Sequence, residues 1–409
     1  MENSTPLVSR YSWVVVAMLW IVAFLNYLDR ILITSMRDPI VKEFEVNDAQ
    51  FGLLTAVFLW SYGIFSPLGG FVADKYSRKK VIVFSVFVWS IVTLCTGYAR
   101  SFEQLLLTRF LMGISEACYI PAALALITDY HRGRTRSLAT GLHMSGLYAG
   151  LALGGLGGYI ATMWGWRSGF QIFGAFGIVY AIMLLYVLKD QKEQGKETTS
   201  NTGEQAITPL GALKVLFNER SFYILLFYFA ILGMVNWLVN GWLPTFLKDH
   251  FHLNLGEAGI SATGYIQIGS FIGVILGGIL ADRWTRKNNK GRLYMLIIGF
   301  TLGAPFLFLM ASTEVFVIAI IAMFIFGLAR GFNDSNLMPI LRQVADGRFI
   351  ATGYGFLNFL STIIGGLMVY VGGALKDANI NLSVVYQFAA VLLLIATWSL
   401  FAIKIKKGN

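Results

Sequence analysis

Long apolar runs follow one another along the whole chain, separated by short polar clusters. About 20 consecutive apolar residues in helical form cross the hydrocarbon core of a bilayer. Runs of that length predict twelve helices. The first six lie at 12–36, 50–73, 80–99, 104–128, 137–163 and 167–188. The second six lie at 221–247, 258–281, 291–311, 315–341, 349–374 and 382–404. We number them span 1 to span 12. Between spans 6 and 7 the chain turns polar and charged, including Gln191-Lys-Glu-Gln-Gly-Lys-Glu-Thr-Thr-Ser-Asn201, which reads as a linker. The predicted organisation is an N-terminal half (1–188), a linker (189–220) and a C-terminal half (221–409). The fold class is an all-α membrane protein of twelve transmembrane helices in two six-helix halves. The first run lacks a small-residue cleavage site and is too long for a signal peptide, so it is expected to stay as a membrane helix.

Composition agrees with this class. Of 409 residues, 56% are hydrophobic and only 13% are charged, against roughly 25% in a soluble domain. The 43 glycines suit close helix contact in lipid. A net charge of +10 would otherwise suggest a nucleic-acid partner, but the chain has no soluble basic domain, and no nucleic acid is expected. The charge is a matter of loop asymmetry. Six Lys and Arg residues lie on one side of the predicted spans (Arg37, Lys42, Arg100, Arg167, Lys248 and Lys376) and three lie within spans (Arg30, Arg109 and Arg330). The rest of the 32 lie on the other side, which the positive-inside rule makes cytoplasmic, with both termini and the linker. Cys95 and Cys118 sit in apolar segments, with no disulfide or metal spacing, and read as packing residues.

A motif occurs twice. Gly70-Phe-Val-Ala-Asp74-Lys-Tyr-Ser-Arg78-Lys79 follows span 2, and Gly278-Ile-Leu-Ala-Asp282-Arg-Trp-Thr-Arg286-Lys287 follows span 8, 208 residues later. Two such loops at matching places indicate halves related by an axis along the membrane normal. Both resemble the loop signature of the major facilitator superfamily, G-x-x-x-D-R/K-x-G-R-R/K, with Ser77 and Thr285 standing where that pattern has Gly. The resemblance covers the whole chain. Asp74, Arg78, Asp282 and Arg286 are expected to tie span ends together and close that side when a cavity faces the other way.

The charges inside the spans are the candidate chemistry. An ionisable side chain at that depth costs several kcal/mol unless paired or hydrated, and it commonly marks a transport pathway. Span 1 carries Tyr27, Asp29 and Arg30; span 4 carries Arg109 and Glu116, seven residues apart and close to one helical face. Two readings stand. In one, the acids carry protons, and motion of a neighbouring arginine changes their proton affinity. In the other, the four charges form a static buried network that only holds helices together; for Asp29 and Arg30 alone a further alternative is a place at the external interface, satisfied by snorkelling. Aligning Gly327 with Gly113 places Arg330 of span 10 where Glu116 sits in the other half. Arg330 then either grips a substrate carboxylate or is neutralised by Asp334 four residues on. Polar candidates for lining a cavity are Tyr27, Tyr62, His143, Ser145, Asn236, Asn240, Gln267 and Asn358. For each, packing is the competing reading.

Within the superfamily the chain is most similar to the anion:cation symporter family of sugar-acid and sialin-like carriers. Span 1 matches N-Y-x-D-R through Asn26, Tyr27, Asp29 and Arg30. Span 4 matches R-F-x-x-G-x-x-E-A through Arg109, Phe110, Gly113, Glu116 and Ala117. Span 7 matches W-L-P-T-Y/F through Trp242, Leu243, Pro244, Thr245 and Phe246. The resemblance implies a proton-coupled importer of a small organic anion (a hexuronate, aldonate or sialate). Asp29 and Glu116 would carry protons, and Arg30 or Arg109 would meet the anion. The partners are then that anion, H+ and the bilayer, with a monomer expected. No cofactor or metal is implied beyond the proton gradient. Spinster-like lipid carriers share the span 4 pattern, so a proton-linked lysolipid carrier is the alternative. Span 5 has no Gly-Pro pair of the drug-antiporter type. No P-loop, metal-ligand cluster or nucleophile–base pair favours an enzyme. Compact loops fit a bacterial inner membrane.

Overall fold

The computed structural model describes residues 10–131, 135–190, 215–344 and 350–405. Most of the linker and the side chain of Asp74 lie outside the described residues. Among the described residues, eleven helices are long and apolar enough to cross a membrane. The twelfth, span 5, is two helices, Arg136–Gly154 and Gly157–Trp164, broken at Gly155-Leu156. Span 4, expected as one helix, is also broken, into Phe102–Glu116 and Tyr119–Tyr130. The cause is Pro121. It has no N–H for the carbonyl of Ala117, and its ring crowds that carbonyl. The break therefore falls immediately after Glu116. A short helix that the apolar pattern does not show, Arg37–Phe44, precedes span 2.

Helix packing repeats between the halves. In the first, span 1 packs on span 5, span 3 on span 6 and span 2 on span 4. In the second, span 7 packs on span 11, span 9 on span 12 and span 8 on span 10. A further repeat lies in the turns. Glu45 (φ 50°) and His252 (φ 55°) adopt the left-handed conformation, each followed two residues later by an Asn that caps a span. Asn47 and Gln50 form a capping box on span 2, and Asn254 and Glu257 form one on span 8. Each box satisfies backbone N–H groups that a helix start would otherwise leave bare.

The two 29-residue spans at the centre are in register. Glu116 is the fifteenth residue of Phe102–Tyr130, and Arg330 is the fifteenth of Phe316–Val344. A Cβ on Gly113 would overlap the carbonyl of Phe58 in span 2, and one on Gly327 would overlap that of Ile266 in span 8. These close approaches fix which face of each helix meets the centre.

The halves meet through span 2 on span 11 and span 5 on span 8. Their hydrogen bonds and ion pairs, among the described residues, lie from mid-span toward the side away from the termini. Lys248 pairs with Asp38, and Lys376 with Asp48 at 3.3 Å. The carboxylate of Asp377 accepts from the backbone N–H groups of Asp48 and Ala49, both at 2.8 Å, and so caps span 2 from the other half. Deeper in, Thr263 donates to the carbonyl of Ala152 (2.7 Å), and Trp60 to that of Ile363 (3.1 Å). Toward the side that carries the termini the halves part. Gly70, Gly141, Gly278 and Gly355 on the facing spans have no described atom within 4 Å of where a Cβ would sit.

The closed end has a defined response to acid. Burial pulls the proton affinity of Asp38 up, but Lys248 and Arg37 outweigh it and hold the carboxyl below the usual range. Arg167 does the same for Glu43 against partial burial, with help from Trp166. A depressed folded-state pKa gives stability that is present above the unfolded value and lost as pH falls through the folded one. Spin labels at Lys42 and Asn379 should therefore keep their separation from pH 7.5 to 5 and spread only below about pH 4. Spreading already at pH 5 would show that the pairing of Asp38 with Lys248 across the halves does not hold the end closed.

Candidate functional site

Span 1 is apolar enough to run through the centre of the first half, so Asp29 and Arg30 are carried inside and must find partners there. Consecutive residues of a helix point about 100° apart. Asp29 faces span 3, where Thr93 donates to its Oδ2 at 3.2 Å. Arg30 faces span 4, where its Nε meets Glu116 Oε2 at 2.6 Å. Both residues of this bridge are buried, at 2% and 0% exposure. The Arg30 guanidinium is stacked between the rings of Tyr27 (4.5 Å) and Tyr62 (4.4 Å). Its Nη2, and Oε1 of Glu116, have no hydrogen-bond partner among the described residues.

Arg109 does something different. It is fully buried and donates to the carbonyls of Leu54 (3.4 Å), Asp29 (3.5 Å) and Arg30 (3.5 Å). Its guanidinium lies 4.9 Å from the ring of Phe58. Three carbonyls from two spans thus converge on one cation, which fixes span 1 against spans 2 and 4. In this conformation Arg109 has no surface to offer a ligand.

In the second half Arg330 is the counterpart. Its nearest acid is Asp334, one turn on, with Nε to Oδ2 at 3.8 Å. That is too long for a hydrogen bond, and the buried Nε has no hydrogen-bond partner among the described residues. Asp334 is held instead by Tyr148 of span 5, which donates to Oδ2 across the halves at 3.1 Å, and by Asn333 at 3.4 Å. Tyr228 of span 7 in turn donates to Asn333 at 2.6 Å. Tyr27 interacts electrostatically with both Arg30 and Arg330, so the two arginine centres share one neighbourhood.

The remaining candidates scatter. His143 is fully buried behind the site, with Nε2 at 2.9 Å from the hydroxyl of Tyr119. That hydroxyl donates to the carbonyl of Leu19, so it accepts from the ring. Gln267 is buried on span 8, with Oε1 unpartnered among the described residues; Asn236 is half-buried with Oδ1 in the same state. Asn240 and Asn358 are half-buried on spans 7 and 11. Arg78 pairs with Asp129 at the far end of span 4, and Asp282 with Arg292 of span 9; Arg286 is exposed. These ties lie within a half. Tyr148, Tyr354 and Thr93 are not among the residues the sequence singles out, whereas Asn333 stands beside Asp334 in the Arg330 segment. Tyr148 follows Ser145 by three residues in a glycine-rich stretch, a spacing that could have flagged it.

The fold and this centre define a class. The chain belongs to the Major Facilitator Superfamily, whose family model matches residues 19–369. It is a transporter rather than an enzyme, and a multi-pass membrane protein. Among its relatives are protein spinster homolog 1 of Xenopus tropicalis, 25% identical over 88% of this chain and 67% of that protein. The probable sulfoacetate transporter SauU of Cupriavidus necator is 25% identical over 85% of this chain and 84% of that one. The probable galactarate/D-glucarate transporter GarP of Escherichia coli is 23% identical over 98% and 94%. The solved structure of a bacterial homologue of the human lysosomal transporter Spinster, inward-facing and unoccupied, superposes with a TM-score of 0.80 at 22% identity, over 96% of this chain and 98% of that one. That likeness carries the fold.

Removing one partner of a buried pair costs about 3–5 kcal/mol, whereas replacing both with apolar residues is close to neutral. Glu116→Ala should therefore lower the thermal unfolding temperature in detergent strongly. The double variant Arg30→Met/Glu116→Leu should return near wild type. Additive losses in this cycle would mean that the bridge carries no coupling.

Proposed function

We propose that the protein is a proton-coupled symporter of a small organic anion, working by alternating access. The observation that carries this reading is the pairing of two unlike centres at one depth. In the first half an acid and a base hold each other, and in the second a guanidinium lacks a hydrogen-bond partner among the described residues. Protonating Glu116 neutralises the partner of Arg30 and frees that guanidinium. A carboxylate can then bind Arg30 and Arg330 together, each through a planar fork of donors. Proton and anion thus favour one another's binding. Asp29, whose carboxylate accepts from the hydroxyl of Thr93, is the second proton carrier. Arg109 positions span 1 so that Arg30 reaches Glu116. By the positive-inside rule the termini are cytoplasmic in a cell inner membrane, so the cleft opens inward.

A second reading has its own support. An apolar groove of about 700 Å³ lies along spans 2, 3 and 4, lined by Val81, Phe84, Val88, Val92, Leu111 and Ile114, with Lys80 toward the terminal side. It suits an acyl chain and agrees with the spinster-named relatives.

Proteoliposomes separate the two. Under symport, one member of a panel of sugar acids and sulfoacetate should alkalinise the outer medium as it enters. Glu116→Gln should abolish accumulation while leaving anion exchange measurable. Full accumulation by Glu116→Gln would remove Glu116 from coupling. Silence toward every anion, with lysophospholipid crossing the bilayer, would establish the lipid carrier instead.

A further inference from the structure

The geometry points to Asp334 as a built-in competitor for the substrate's anionic group at Arg330, and hence as a residue that sets anion affinity; this rests on the symport reading above. Asp334 stands one turn from Arg330 yet makes no hydrogen bond to it, the shortest approach being 3.8 Å. Its carboxylate is directed elsewhere by three groups. Tyr148 donates to Oδ2 and Asn333 to Oδ1, and Asn333 is itself fixed by Tyr228. A carboxylate free to choose would take the bidentate grip that guanidinium offers. Here it is held at a distance where it balances the charge of Arg330 and leaves the guanidinium N–H groups open. About 30% of its side chain is accessible, so an incoming anion meets Asp334 as well as Arg330.

The placement gives this competition a consequence. Of the hydrogen bonds between the halves described above, Tyr148 to Asp334 lies nearest the open side. Asp334 is eighteen residues, about 27 Å of helix, from the start of span 10 at Phe316. It thus marks the apex of the cleft. Tyr148 also interacts electrostatically with Arg330 and Tyr27, and Tyr354 of span 11 with Asp334, Tyr27 and Tyr62. An anion settling on Arg330 is repelled by Asp334 and competes with it for the Tyr148 hydroxyl. The affinity is accordingly lower than Arg330 alone would give, and release on the far side is easier. Tyr148 changes acceptor from Asp334 to the ligand, so binding loosens one bond between the halves.

The test uses the full-length protein in proteoliposomes, with sulfoacetate and galactarate as probes and lysophospholipid in parallel. Asp334→Asn keeps an acceptor for Tyr148 and removes the charge that repels an incoming anion. KM for the transported anion should fall on the order of tenfold, and kcat should fall as release slows. Asp334→Ser should shift KM the same way, while Asp334→Glu, which keeps the charge, should hold KM at the wild-type level. An unchanged or higher KM in both uncharged variants, with wild type transporting the anion, would overturn the inference and leave symport standing. Wild type that moves lysophospholipid and neither anion would overturn both.

Discussion

A guanidinium and a carboxylate in the middle of an apolar bundle must meet each other or be hydrated, and Arg30 and Glu116 meet at 2.6 Å. Much of the first half is arranged so that they can. Arg109 binds the carbonyls of Asp29 and Arg30 and so sets the height and rotation of span 1. Gly113 lets span 4 lie against span 2, from which Tyr62 reaches the Arg30 guanidinium. Pro121 ends the helix just beyond Glu116, so the acid sits on the last residue of a rigid segment. Each feature alone is ordinary; together they bring one ion pair into contact at 2.6 Å.

The second half keeps the frame and changes the charge. Span 10 copies span 4 in length and in the glycine that seats it, but a base stands where the acid stood. Two acids facing each other would repel an anion. An acid opposite a base allows a proton on one side and an anion on the other to be bound in the same cleft. On the symport reading, the asymmetry between otherwise matching helices is what lets one cleft take both ligands.

Periodicity made the spans legible because a bilayer demands long apolar runs, and a run of that length has few other readings. The interruptions were not legible in the same way. Pro121 was visible in the sequence, yet a proline is often tolerated in a membrane helix when neighbours satisfy the freed carbonyl. Here Pro121 both removes the partner of the Ala117 carbonyl and crowds it, and the helix breaks; whether neighbours satisfy such a carbonyl is decided by the fold. Asp29, Arg30, Arg109 and Glu116 stood out as charges in apolar segments. Their pairing did not, because adjacent residues on span 1 diverge by 100° and the choice of partner depends on helix rotation. Arg109 shows the difference most clearly. As a type it suits a carboxylate ligand, but in place it serves three carbonyls. Tyr148 shows the reverse: its spacing from Ser145 is its one sequence signal, and the partner that gives it a role, Asp334, lies in the other half.

What joins the halves bears on how they move. The polar links across the interface are few, and several are partly exposed: Lys248 to Asp38, Lys376 to Asp48, Asp377 to the start of span 2, and the hydroxyl bonds of Thr263 and Tyr148. Exposed ion pairs contribute up to about 1 kcal/mol each and ordinary hydrogen bonds roughly 0.5–1.5. Their sum is of the size that ligand binding can offset. The buried bridge and the carbonyl clamp of Arg109 lie wholly within one half and cost far more to break. Rocking about the interface does not itself break them; on the symport reading the bridge opens only when Glu116 takes up a proton. The strong interactions therefore define rigid bodies, and the weak ones define the joint between them. A carrier that alternates needs that division, because a joint as strong as its halves would stay in one state.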